Sequence, residues 1–254
     1  MYDGLMRLRL VVPAILAFAA ALPAQTPPVR VLASNGFKAV LEAVRPQCER
    51  SIGRPLSIEY NSSTGLRAKI DAGQGFEVAI VTTELMDTLV KERKITPGST
   101  ATLAKAGIGV GIRKGAAKPD IRTAATMKNT LLKVKSVTYA EDGASRTYVE
   151  RMFQKMGIAD AMKPKIVLEQ GSGRATARVA DGKTEMVLTL SSEILPVAGI
   201  ELVGGLPKEY QEYVSFSAGI GAGAANSDVA AAVIKYLVSS PVIAMLNAKG
   251  MEKP

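Results

Sequence analysis

An α/β fold of two lobes is predicted by three features of this sequence. The first is a repeating unit of apolar strand, polar loop and amphipathic helix: residues 29–33, then Ser34-Asn35-Gly36, then a helix over 37–52; and again residues 56–60, then 61–65, then a helix over 66–72. The second is the run Phe76-Glu77-Val78-Ala79-Ile80-Val81, nearly continuous in apolar residues, as in a parallel strand covered on both faces. The third is a pair of glycine-rich apolar stretches, residues 106–112 and 216–223, that bracket the middle of the chain. Such stretches suit hinge crossings between lobes, and suit ordinary edge strands equally.

The elements follow in order. Phe37, Val40, Leu41, Val44 and Cys48 fall at helical intervals, and Gly53-Arg54-Pro55 stops that helix. After the third strand, Thr82-Thr83 leads into a helix over 84–91, so the connections are βαβ crossovers. Between the glycine-rich stretches lies a second α/β unit: a strand over 134–140, a turn at 141–145, a helix over 146–156, a strand at 166–168, a loop at 170–173, a helix over 174–180 and a strand over 186–190. Two helices, over 228–237 and 241–248, close the chain, and no internal repeat is evident. The division that results is a first lobe of residues 25–108 and 220–254 with a second lobe, residues 109–219, inserted into it.

Composition narrows the function. The chain has 254 residues, 47% hydrophobic and 22% charged, enough for a sizeable core. Arg7 and Arg9 precede an apolar stretch over 10–22 and then Pro23-Ala24, the pattern of a secretory signal peptide ending at residue 24. About 13 apolar residues fall short of the ~20 that span a bilayer, so a soluble, exported protein of the periplasm is expected. Cys48 is the only cysteine, which rules out an internal disulfide and places it as a small apolar residue on a buried helix face. The absence of histidine removes the commonest general base and zinc ligand, and no metal or cofactor is expected. Removing residues 1–24 leaves 30 basic and 22 acidic residues, a net +8. These charges are scattered, and with no tryptophan and 5% aromatics there is little stacking surface, so nucleic acid is not the expected partner.

In open α/β sheets ligands sit beyond the carboxyl ends of the strands, where three small polar loops would gather: Ser34-Asn35-Gly36, then Asn61-Ser62-Ser63-Thr64-Gly65, then Thr82-Thr83. Each precedes a helix, whose first turn carries unpartnered N–H groups and partial positive charge, so hydroxyls beside it complete an anion cradle. Any one of these loops alone reads equally as a helix cap.

The ordered series of these pieces is similar to the type II periplasmic solute-binding proteins, in particular their molybdate-binding branch. The resemblance covers the mature chain and rests on residues 31–48, Asn61-Ser62-Ser63-Thr64-Gly65-Leu66, residues 76–81 and 109–120, Gly143-Ala144-Ser145, Lys155-Met156-Gly157 and Gly250-Met251. It implies two lobes, each a mostly parallel sheet flanked by helices, joined by two hinge crossings and closing on a solute that is delivered to an ABC permease by a monomeric carrier. It also implies an oxyanion held by neutral groups: a serine after the first strand, a serine in the second loop, backbone N–H groups of second-lobe loops and a late tyrosine. Ser63 matches the second serine, with Ser62 and Thr64 beside it. Gly36 stands at the first serine, after Ser34 and Asn35; Thr189-Leu190 stands at the tyrosine; Arg146 stands where glycine is commoner, beside Ser145; and Ser172 takes a position that serves through its backbone.

These departures leave two ligand classes open. A cage of N–H and O–H dipoles suits molybdate or tungstate, whereas a small organic carboxylate suits the planar fork of an arginine, for which Arg146 and Arg174 are candidates. The resulting site is Ser34, Asn35, Gly36, Ser62, Ser63, Thr64, Thr82, Ser145, Arg146, Ser172 and Thr189. Two other function classes remain: an exported enzyme with Ser63 as nucleophile near Arg67 or Lys69, and a protein that engages partners through its basic surface.

Overall fold

Residues 27–254 are described in the computed structural model, so the expected signal peptide lies outside the described residues. β1 (Val29–Ser34) leads through a short 3-10 turn (Asn35–Phe37) into α1 (Lys38–Ile52), followed by β2 (Leu56–Asn61), α2 (Ser63–Asp71), β3 (Val78–Thr82) and α3 (Thr83–Lys91). β1 pairs in parallel with β2 on one side and β3 on the other, bringing the ends Ser34, Asn61 and Thr82 to one rim. Alternation along these strands decides what each face buries. Val31, Ala33, Val78 and Ile80 pack with Val40, Leu41, Val44 and Cys48 of α1, while Leu32, Ala79 and Val81 pack with Leu66 and Ile70 of α2 and Met86 and Leu89 of α3. Cys48 is fully buried, and burial raises its thiol to about 11, so it behaves as a small apolar group.

β4 (Ala101–Arg113) is the long strand of the fold. After it come α4 (Ala124–Lys133), β5 (Val137–Ala140), α5 (Arg146–Lys155), α6 (Ala159–Met162), β6 (Ile166–Glu169), α7 (Ser172–Ala180), β7 (Met186–Leu190), α8 (Ser191–Ile194), β8 (Ile200–Gly205), β9 (Tyr213–Ile220), α9 (Ser227–Leu237) and α10 (Ser240–Met245). The strand order is β2-β1-β3-β9-β4-β7-β5-β6, with β8 on β4. Residues 101–107 of β4 pair with β9; residues 108–112 pair with β7, and residues 109–113 with β8. One strand therefore belongs to both halves of a continuous mixed sheet, in which β5, β6 and β7 form the parallel core of the second half.

The return crossing lies upstream of where the glycine pattern suggests. Residues 213–219, expected in the second lobe, are hydrogen-bonded in register to β3 and to the first part of β4. The glycines there serve close packing: a Cβ at Gly219 would stand 2.8 Å from both Ile95 Cγ2 and Met86 Sδ. The chain returns between the halves at residues 206–212, where Leu206 N–H bonds Ile108 O and Ile108 N–H bonds Glu212 O. Gln211 ties this crossing together. Its Oε1 accepts Leu206 N–H at 2.8 Å and its Nε2 donates to Glu212 O at 2.8 Å, in a bed left open by Gly107 and Gly205.

Four elements are absent from the expectations above: α4, β8 and the single-turn helices α6 and α8. α4 starts from a capping box in which Thr123 and Thr126 satisfy each other's backbone N–H groups, a signal present in the sequence. β8 is short, half-buried and ends in two glycines, so its pattern is faint. Replacing Gln211 with alanine removes the shorter of the two bonds made by Leu206 N–H, leaving it Ile108 O alone, and removes the bond to Glu212 O; stability is expected to fall by about 1 kcal/mol, read as a lower urea midpoint with an unchanged slope.

Candidate functional site

Ser63 draws the first-half loops together. Its Oγ accepts Thr82 N–H at 3.1 Å and donates to Ser34 Oγ at 3.4 Å, so the ends of β1 and β3 are both tied to the first residue of α2. Ser34, Ser63 and Thr82 are buried at this rim. A hydroxyl has one proton; Ser63 spends it on Ser34, which passes the donor role to Ser34 itself. Ser62 is a helix cap, its Oγ accepting Gly65 N–H at 3.0 Å.

Ser63, Thr64 and Thr82 line a small chamber of about 120 Å³ between the two halves of the sheet. The opposite wall comes from the turn after β5 and from α5: Asp142, Ala144 and Tyr148. Glu84, from the first turn of α3, completes it. The chamber thus holds hydroxyls and two carboxylates and no basic side chain. Burial first, and then the carboxylates of Glu84 and Glu212, raise the Tyr148 hydroxyl above its usual value, so it is a proton donor.

Gly36 governs what happens beside the chamber. A Cβ there would stand 2.3 Å from Phe216 Cζ and 3.0 Å from Leu190 Cδ1. The two apolar side chains therefore close over the position where the resemblance implies a serine, and Leu190 itself stands where it implies a tyrosine. The Gly36 carbonyl accepts Ser192 Oγ at 2.8 Å, a buried hydrogen bond from the start of α8 to the loop after β1.

A larger groove, of about 600 Å³, is lined from both halves of the sheet. Asn35 and Lys38 line it from the first half; Ser172 and Gly173, in the first turn of α7, and Glu193 of α8 line it from the second; Lys249, near the C-terminus, adds a second ammonium. The two ammonium groups and the unpaired N–H groups at the start of the nine-residue α7 give the groove partners for an anion. Its size suits a small organic molecule. Glu42 and Glu193, which also line it, are the contrary charges. The Glu193 carboxylate accepts Ser172 Oγ at 2.8 Å and Thr189 Oγ1 at 2.5 Å. Burial raises it above the ordinary glutamate range despite these bonds.

The remaining residues expected at the site fall elsewhere. Ser145 is buried at the N-terminal end of α5 without a side-chain cap bond. Arg146 turns along its own helix: Nε bonds Glu150 Oε1 at 2.8 Å and an amino nitrogen bonds Glu141 O at 3.0 Å, and the Glu150 bond raises its already high value. It is spent on these partners, and neither it nor Arg174 lines the chamber or the groove. The idea of Ser63 as nucleophile finds no base: Lys69 pairs with Glu59, and Arg67 with Asp71 and Glu92. Lys38, Glu84, Asp142, Tyr148, Glu193 and Lys249 were not legible as site residues. Lys38, Glu84 and Asp142 could have been found, because each lies within four residues of a loop already singled out.

Among the described residues no helix is long and apolar enough to cross a membrane, and no group of three His, Cys, Asp or Glu side chains is arranged to hold a metal ion. Comparison with known proteins places this geometry. The chain is 28% identical over 253 residues to an aconitate isomerase from Pseudomonas sp., covering 93% of this chain and 95% of that protein. It is 24% identical over 235 residues to the molybdate-binding protein ModA of Azotobacter vinelandii, covering 91% and 92%. Its fold superimposes on a periplasmic molybdate-binding protein from Azotobacter vinelandii with a TM-score of 0.76 at 20% identity, covering 89% of this chain and 99% of that one. The family described as bacterial extracellular solute-binding protein matches residues 29–252, and this chain, with its type II periplasmic binding fold, belongs to it.

Proposed function

We propose that this protein captures a small organic acid outside the cytoplasm, in the groove between the two halves of its sheet, and delivers it to an ABC permease. The observation that carries this reading is the contact at Gly36. In the molybdate-type arrangement implied by the sequence, a serine and a tyrosine there would offer protons to an oxyanion; here Phe216 and Leu190 fill the space with carbon. The chamber presents Glu84 and Asp142 with no cation, which repel a dianion, while the groove offers Lys38, Lys249 and the start of α7 beside its own Glu42 and Glu193. A carboxylate is matched by an ammonium and by backbone N–H groups together. The similarity to an aconitate isomerase along nearly the whole chain supports an organic acid as the solute.

A second reading follows from Glu193. A carboxyl on the wall of a groove that holds an unsaturated polycarboxylic acid could move a proton along it. Proton NMR of cis-aconitate with the protein in D₂O separates the two: an unchanged spectrum is expected for a carrier, and a new isomer carrying deuterium would establish turnover.

Isothermal titration with citrate, cis-aconitate, molybdate, tungstate and sulfate tests the first reading. Binding of a polycarboxylate is expected, weakened about tenfold, or 1.4 kcal/mol, by Lys38→Ala; molybdate or tungstate binding more tightly than every carboxylate would overturn it. Gly36→Ser restores the missing hydroxyl only by displacing Phe216. It is expected to lower stability by about 1–3 kcal/mol in urea denaturation and to confer no molybdate binding in the same titration.

A further inference from the structure

Glu193 is the third residue of α8, and its carboxylate turns back over the helix start, where the Leu190 N–H, the Ser172 hydroxyl and the Thr189 hydroxyl all point at it. The Leu190 N–H bond is the returning half of a capping box, with no side-chain acceptor on Leu190 to complete it; it orients Glu193 and leaves its surroundings to be explained. The charged groups around the groove are Lys38 and Glu42 on α1 and Lys249 near the C-terminus; α7 presents only the hydroxyls of Ser172 and Thr176. The charge that acts on Glu193 is that of Asp142, in the turn after β5, and it is unfavourable. Asp142 is itself fixed by the Gly171 N–H at 2.9 Å. A carboxylate on the groove wall, with a second carboxylate held one residue away from its partner Ser172 and no cation paired to it among the described residues, is a poor wall for an anion. A carboxyl carrying a proton is a good one.

We propose that the groove takes up its solute together with one proton held on Glu193, so that this side chain meets an incoming carboxylate as a hydrogen-bond donor. The proposal rests on the organic-acid reading above. Ser172 and Thr189 accommodate either state, because a hydroxyl both donates and accepts. The sign follows from linkage. A bound anion favours the protonated form, so at any pH above the value of Glu193 in the empty protein, binding takes up a proton and affinity falls as pH rises, by up to about tenfold per pH unit. Below that value this group contributes no pH dependence.

The test compares wild type with Glu193→Gln, a neutral isostere, by titration calorimetry with citrate and with cis-aconitate between pH 5.5 and 8.5, in pairs of buffers of different ionisation enthalpy. The ligands' own titration is common to both proteins and cancels. The expected result is that wild-type affinity falls about tenfold per pH unit more steeply than that of the variant over part of the range, with extra proton uptake in the wild type only. Identical slopes and proton uptake would overturn the proposal. Infrared spectroscopy of the ligand-free protein reads the same carboxyl directly: a protonated-carboxyl band lost in Glu193→Gln should persist well above the ordinary glutamate value of about 4.3. Its midpoint should move down in Asp142→Asn, which also serves if Glu193→Gln fails to fold. A midpoint at the ordinary value would overturn the proposal whether or not a carboxylate binds. If the band persists and no carboxylate binds, the organic-acid reading fails, and the proton coupling of uptake fails with it.

Discussion

The absence of a side chain at Gly36 is the constraint on which the cleft depends. It lets Phe216 from β9 and Leu190 from β7 close over the loop after β1, and it leaves the carbonyl free for the Ser192 hydroxyl. One position thus joins β9, β7 and the helix that follows β7. The apolar lid and the buried hydrogen bond act together, since a donor removed from water needs its acceptor. The cleft holds two spaces, a small acidic chamber and a larger groove in which Lys38 and Lys249 stand with Glu42 and Glu193.

The two spaces differ in charge. Ser63 gives its proton to Ser34 and so offers none to the chamber it lines with Glu84 and Asp142. The groove sets Lys38, Lys249 and the start of α7 beside Glu42 and Glu193. Scaffold and ligand chemistry are therefore separable here. The same strand–loop–helix units that can build a neutral oxyanion cage also carry, with a few changed side chains, a groove of opposite character.

Much of the fold was legible in the sequence, because both faces of the first sheet are covered and its strands read as apolar runs between small polar loops. The loops at residues 34, 62 and 82 do converge at one rim, as the topology of parallel strands requires. Glycine misled at the crossing: in residues 216–223 it marks a strand pressed against Met86 and Ile95, whereas the crossing is stabilised by Gln211, a residue with no pattern of its own. Arg146 was legible as a cation near the cleft, but an i,i+4 glutamate, Glu150, was there to claim it. Glu193 was not legible at all, and Asp142 only through its place in the turn after β5. A half-buried acid and a surface acid look alike in sequence, and only the hydroxyls around Glu193, brought from α7 and the end of β7, distinguish it.

The C-terminus is part of the site. Gly250, at φ 72°, sits so close to the backbone of Ser191 and Ser192 that a Cβ would come within 2.7 Å of it, and Glu252 pairs with Lys105 at the edge of β4. β3, formed early in the chain, waits for β9, more than 130 residues later, to cover its open edge. Synthesis runs in the opposite sense to what the fold requires: the first half is made first and finished last. A chain emerging from a ribosome exposes an unpaired strand edge until residues 216–220 have been made, and the groove gains the last of its lining only with residue 249.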